Sequence, residues 1–279
     1  MAIRDLLVQL DDTAQSAARL DLAAGLAQRV GAHLVGLHVL QVPLPVFAGA
    51  EAGGGAALAE LIEDLQKEAD AAATRVEANF QARIARDGLA GEWRLVEGML
   101  GPQVGTQGRY ADLVVVGQAA PEGPADNVHI EAALFDTGRP VLVVPYAGHA
   151  GSIGRRALVA WNSSREAARA VHDALPLLAG AEAVTVVTIN PESGPDAHGE
   201  VPGADIARHL ARHGLPVTVR RVAGSGISAG ELLLNEVSDL GADLVVMGAF
   251  GHSRLREFVL GGATRTMLQQ MTVPVLMAH

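Results

Sequence analysis

The chain has 279 residues, a formal net charge of −10 and no cysteine. Acidity without a basic block argues against nucleic-acid and anionic-membrane partners, and the missing cysteines remove disulfides, thiolate metal sites and cysteine nucleophiles. Hydrophobic residues make up 49% but aromatics only 3%, so the core is built from Val, Leu, Ile and Ala, in one large domain or two modest ones.

In chain order, MAIRDLLVQLDD carries an apolar run that meets Asp11 and Asp12. It is too short for a signal h-region and has no small-residue cleavage site. No uninterrupted apolar stretch is long enough to span a bilayer, so a soluble, cytoplasmic protein is expected. The first run opens the segment DLLVQLDDTAQSAARLDLAAGLA (5–27), and a second apolar run follows in AHLVGLHVL (32–40). The Pro- and Gly-rich PLPVFAGAEAGGGAALAE (43–60) reads as a mobile loop leading into a long helix that ends near Arg86. ADLVVVGQ (111–118) and RPVLVVP (139–145) read as further buried runs, before a Gly- and Ser-rich junction, YAGHAGSIG (146–154).

Beyond the junction the pattern starts again. RALVAWNSSREAARAVHDALPLL (156–178) parallels 5–27, EAVTVVTIN (182–190) parallels 32–40, ADLVVMGA (242–249) matches 111–118, and TVPVLMAH (272–279) matches 139–145. The period is far longer than a solenoid repeat, so two tandem domains are expected, 1–147 and 154–279. In the second, strands are predicted at 156–161, 183–189, 216–222, 243–248 and 273–278, with helices near 164–179, 203–213, 228–240 and 262–270. Ser163 is placed to cap the first of these helices. LVVV and LVVM are apolar on both faces, as buried parallel strands require. The alternation predicts an α/β fold, two doubly wound, Rossmann-like domains with helices on both faces of parallel sheets. Ligands of such sheets sit outside the C-terminal strand ends, which here are Asn162–Ser163, Asn190, Gly224–Gly226 and Gly248–Gly251.

Several motifs are tested and set aside. GxxxxGK[ST] is absent, and Lys67, the one lysine, lies in the first half. GSGISA (224–229) fits G-x-G-x-x-[GA], but it follows the third strand of its half and reads as a turn with Ser228 as helix cap. Gly226-Ile-Ser228-Ala-Gly230 fits G-x-S-x-G, with Asp243 and His252 downstream, yet too little sheet follows for an α/β-hydrolase. His209 and His213 share a helix face without an HExxH glutamate. No carboxylate pair sits at two strand ends of one half. No catalytic residue and no metal ligand are therefore assigned.

GAFGHSRLREFVLGGATR (248–265) is the better candidate. Gly248 ends a buried strand, and Gly251 permits close backbone approach. Gly261-Gly262 opens the last helix, whose free N–H groups and dipole favour an anion. His252, Ser253, Arg254 and Arg256 bring hydrogen-bonding and cationic groups. Spacing alone fits both a phosphate cradle and a loop that merely closes the fold.

With these motifs the whole chain resembles the universal stress protein family in its tandem form. The resemblance rests on Leu-Val-x-Leu/Trp-Asp/Asn-x-Thr/Ser at the first strand of each half, on ADLVVMGAFGHSRLREFVLGGATR and on the closing VPVLMAH. It implies a five-stranded parallel sheet per domain, ordered 3-2-1-4-5, of the adenine nucleotide alpha hydrolase-like kind. It implies pairing of the last strands across domains as an intramolecular pseudo-dimer, and it allows a homodimer. Nucleotide-binding members carry G-2x-G-9x-G-[ST]. Here Gly248, Gly251 and Gly261 match, and Gly262 replaces the hydroxyl residue. Carried over by position, Ala160 and Asn162 stand at the end of the first strand of the half, and Ile189 supplies backbone where adenine would sit. Met247, Gly248, Gly251 and His252 flank ribose and phosphates, and Gly261, Gly262, Ala263 and Thr264 present the helix N-terminus. The implied cofactor is ATP or another adenine nucleotide, with Mg²⁺ as its companion ion; Asn162, neutral where the pattern has a carboxylate, weakens any hold on that ion.

Gly262 also removes a donor to phosphate; a hydrogen bond to a charged acceptor is worth about 1.5–3 kcal/mol. In the first half Ala120 replaces the second glycine and Asn127-Val128 stand for Gly261-Gly262. QAAPEGPADNVHIE (118–131) is acidic and has no arginine, so phosphates should be repelled. The expected function is stress-response regulation by an adenine nucleotide bound in the second half, with little or no hydrolysis. A ligand-independent interaction module and a slow ATPase are the alternatives.

Overall fold

The computed structural model describes residues 2–41, 55–120, 127–149, 151–191, 201–249 and 262–279. The first half runs β1 (Asp5–Leu10), α1 (Ala14–Val30), β2 (His33–Leu40), α2 (Gly55–Asp87), β3 (Gly91–Glu97), α3 (Leu100–Gly108), β4 (Leu113–Gly117), α4 (Val128–Asp136) and β5 (Val141–Val144). The second runs β6 (Arg156–Ala160), α5 (Arg165–Leu178), β7 (Ala183–Ile189), α6 (Ala204–Arg212), β8 (Val217–Val222), α7 (Ala229–Leu240), β9 (Leu244–Gly248), α8 (Gly262–Gln270) and β10 (Val275–Ala278). The second half follows the sequence expectation to within about two residues at each end. Of the 43–60 insertion, only the part from Gly55 lies among the described residues.

All strands join one ten-stranded sheet in the order β3-β2-β1-β4-β5-β10-β9-β6-β7-β8. Each half is parallel and repeats the order 3-2-1-4-5. The join is antiparallel, with Val275 opposite Val143, Leu276 opposite Leu142 and Met277 opposite Val141. The strand pairing implied by the family resemblance is thus present within the chain.

Strand alternation sends successive side chains to opposite faces, and both faces are buried. Leu6, Val8, Val115, Leu276, Val246 and Val159 face the layer of α1, α2, α5 and α6. Leu7, Val114, Val143, Val275, Val245 and Leu158 face the layer of α3, α4, α7 and α8. Both layers run unbroken through the β5–β10 join, so one core serves both halves. Polar bonds also cross the join. Arg29 donates to the carbonyls of Ile153 and Leu177. Gln118 Nε2 donates to the Leu268 carbonyl at 2.9 Å. Arg169 reaches the carbonyls of Gly138 and His279.

One sequence expectation is corrected. Ser164, not Ser163, caps α5: its Oγ accepts from the Ala167 N–H at 3.1 Å. Ser163 instead turns the chain with a left-handed φ of 59°. The Ser228 cap is present as a full capping box with Glu231, at the start of α7.

Candidate ligand site at the strand ends

The second half's strand ends lie side by side because β6 is central. Ala160 pairs in register with Met247 of β9 and with Val187 of β7, and Ile189 closes β7 two residues further on. Ala160 and Ile189 pack, partly buried, against the core layer that holds Met247. That layer also holds Met267 and Leu268 of α8. The helix carrying Gly262, Ala263 and Thr264 therefore packs on the face to which these strand ends belong. Thr264 is turned inward and buried, whereas Gly262 is exposed. Gly251, His252 and Gly261 lie outside the described residues.

The glycines at this edge differ in kind. A Cβ on Gly248 would stand 2.5 Å from the Ala167 nitrogen and 2.7 Å from the Glu166 carbonyl carbon. The first turn of α5 crosses the end of β9 in direct backbone contact, so packing alone demands glycine there. Among the described residues, a Cβ on Gly262 would meet nothing within 4 Å. Beyond Gly248 the chain is still held, since the Ala249 N–H donates to the Ala278 carbonyl at 2.9 Å.

Two asparagines shape the rim. Asn162 is exposed, and its Oδ1 accepts from the Ser164 N–H at 3.2 Å, folding the turn into α5. Asn190 adopts a left-handed φ of 42°. Its amide clips the loop after β8, accepting from the Gly224 N–H at 2.9 Å and donating to the Gly224 carbonyl at 3.0 Å. Sequence reading placed Asn190 and Gly224 at strand ends but not in contact, because the clip depends on β7 and β8 lying side by side. Glu166, at the start of α5, is buried and tied to Arg165 at 2.6 Å. Burial opposes its ionisation, yet the hydrogen bonds from Arg165 and from the helix start outweigh it and hold the carboxyl below its ordinary value. Among the described residues no group of three His, Asp or Glu side chains is placed to hold a metal.

The first half's strand ends are built differently. The segment 118–131 carries no arginine of its own, but Arg19, arriving from α1, is buried against Gly117. Reading charge along 118–131 missed it because the arginine comes from a helix a hundred residues earlier in the chain, give or take.

Residues 154–279 match the family model of the universal stress protein family. In this half, 154–279, the chain is thus similar to the universal stress protein family. A curated relative, Universal stress protein Slr1230 of Synechocystis sp. (strain ATCC 27184 / PCC 6803 / Kazusa), is 36% identical over 67 residues, 24% of this chain and 22% of that protein. The match thus spans about a fifth of that relative's length. Among solved structures, a universal stress protein from Archaeoglobus fulgidus DSM 4304 superposes with a TM-score of 0.72 at 18% identity, covering 98% of this chain and 95% of the other. A protein of unknown function from Pseudomonas aeruginosa PAO1 gives 0.55 at 16% identity, covering 99% and 92%. At such identities the likeness speaks for the fold, and it extends over both halves. No helix among the described residues is long and apolar enough to cross a membrane.

Proposed function

We propose that this protein is a cytoplasmic stress-response regulator of the universal stress protein kind that binds one adenine nucleotide, ATP, ADP or AMP, in a domain spanning 154–279. A companion domain, 1–147, carries a degenerate site. The observation that carries the reading is the open start of α8: exposed Gly262, with no atom of the described residues within 4 Å of a Cβ built there, on a helix packed against the strand ends of Ala160, Ile189 and Met247. Free N–H groups and the helix dipole at such a start favour phosphate.

In this reading the backbone at Ile189 faces adenine, Asn162 and Met247 border the ribose, and Gly251, His252, Gly261, Gly262, Ala263 and Thr264 present donors to the phosphates. Gly248 contributes by letting α5 close on β9. Asn162 offers a magnesium ion only an amide oxygen already engaged by Ser164, so the phosphates would hold Mg²⁺ if it comes with the nucleotide. Glu166, buried and paired, is badly placed to activate water, which supports binding with little or no hydrolysis. The test is thermal melting with millimolar ATP, ADP or AMP. Ligand at 100 times its Kd adds about 2.7 kcal/mol, and Gly261→Val removes the shift. No shift with any of the three nucleotides defeats the proposal.

A second reading is favoured by the β5–β10 ladder, which makes the halves one body. The protein would then act as an interaction module without ligand. Melting that is indifferent to nucleotide, together with an unchanged fold, is what it predicts.

A further inference from the structure

At the end of β4 a Cβ on Gly117 would overlap the Nη1 atom of Arg19, with Arg19 Cζ at 3.2 Å. The arginine is 4% exposed. Its Nε donates to the Gln9 carbonyl at 2.5 Å, and its Nη2 to the Asp11 carboxylate at 2.7 Å and the Ser16 hydroxyl at 3.5 Å. On the other side, His129 of α4 directs Nε2 to the Gly117 carbonyl at 2.9 Å; since a carbonyl only accepts, that nitrogen carries the proton. Burial, reinforced by the neighbouring Arg19 charge, holds His129 below its ordinary value and keeps it neutral.

The second half lacks this arrangement. In the repeat, Arg19 corresponds to Ala170, which is fully buried, and Gly248 meets the backbone of α5 directly. In the first half a guanidinium fills the space between helix and strand end. Burying a charge costs several kcal/mol unless it is paired and fully hydrogen-bonded. Here a carboxylate, a carbonyl and a hydroxyl, set around a planar fork, supply that pairing. Asp11 responds in turn: burial opposes its ionisation, but the Arg19 charge and the hydrogen bonds from Thr13, Arg19 and Gln9 outweigh it and hold the carboxyl below its ordinary value.

We propose that the strand-end site of the first half is a guanidinium site, lined by Gln9, Asp11, Ser16 and Gly117 and occupied in cis by Arg19. The two halves then carry sites of opposite sign. The first recognises a planar cation and supplies it from its own α1, whereas the second is built for an anion. The contrast rests on the nucleotide reading of the second half, but the guanidinium site stands on its own contacts.

The test removes the internal ligand and offers it back. Arg19→Ala deletes the equivalent of ethylguanidinium. Expected are a lowered melting temperature and its recovery by several degrees in millimolar ethylguanidinium, with no gain for the wild type. Ethylammonium, a charge without the fork, should restore less. The Asp11→Asn, Arg19→Ala double variant should lose the response. If Arg19→Ala does not fold alone, the same comparison is made on refolding yield, read by circular dichroism. An Arg19→Ala protein that responds to ethylguanidinium no more than the wild type, in melting or in yield, overturns the proposal. Nucleotide is absent from these measurements, so failure of the nucleotide reading leaves their outcome unaffected.

Discussion

At the scale of single residues, glycines that look alike in the sequence have different causes. Gly248 is demanded by the backbone of α5, 2.5 Å from a Cβ built there. Gly262 is demanded by nothing among its described neighbours, since its Cβ would enter open space. A side chain at Gly262 therefore clashes with none of the described residues. Gly262→Ser should add a hydroxyl donor to bound phosphate, worth about 1.5–3 kcal/mol or about ten- to a hundred-fold in affinity. Titration calorimetry of the variant with ATP measures the gain. An unchanged affinity, in a variant that melts like the wild type, would place the phosphates elsewhere.

At the scale of elements, the helix starts decide how each strand end is finished. Ser228 caps α7 as the sequence foresaw, and Glu231 returns the bond, so that each satisfies the other's backbone N–H. Ser228→Ala should lower stability by about 1 kcal/mol, read as a lower urea midpoint with an unchanged slope. Because α7 packs on the layer under Met247, the loss should appear as stability and leave nucleotide affinity nearly untouched. At α5 the cap expected at Ser163 falls instead on Ser164, because Ser163 takes the left-handed turn out of β6. At α1, Thr13 bonds Asp11 and makes no cap bond. That binds the strand-end acid into the local network which holds Arg19.

At the scale of the molecule, the β5–β10 ladder is the centre of the sheet. Val141, Leu142, Val143, Val275, Leu276 and Met277 all have 0% exposure. Strands flanked on both edges and both faces open only with the whole fold. The amides of 141–144 and 275–278 should therefore exchange together and among the slowest in hydrogen-exchange mass spectrometry. Fast exchange of 275–278 beside slow exchange of 141–144 would mean that the halves open independently. At the outer edges, β8 bears Arg220 and Arg221, and charges on an edge strand discourage further pairing.

The sequence by itself determined the repeat, the alternation of strand and helix, the second half's element boundaries and the Ser228 cap. Each of these is written in residues close together in the chain, where periodicity and capping chemistry act. It also marked the strand ends as the place to look, since the C-terminal ends of parallel strands follow from strand order. Tertiary structure alone decided which residues meet there: Arg19 over Gly117, α5 against Gly248, and Asn190 clipped to Gly224. Those contacts join segments far apart in sequence, and no local pattern records which side chain fills the gap between a helix and a strand it does not adjoin in the chain.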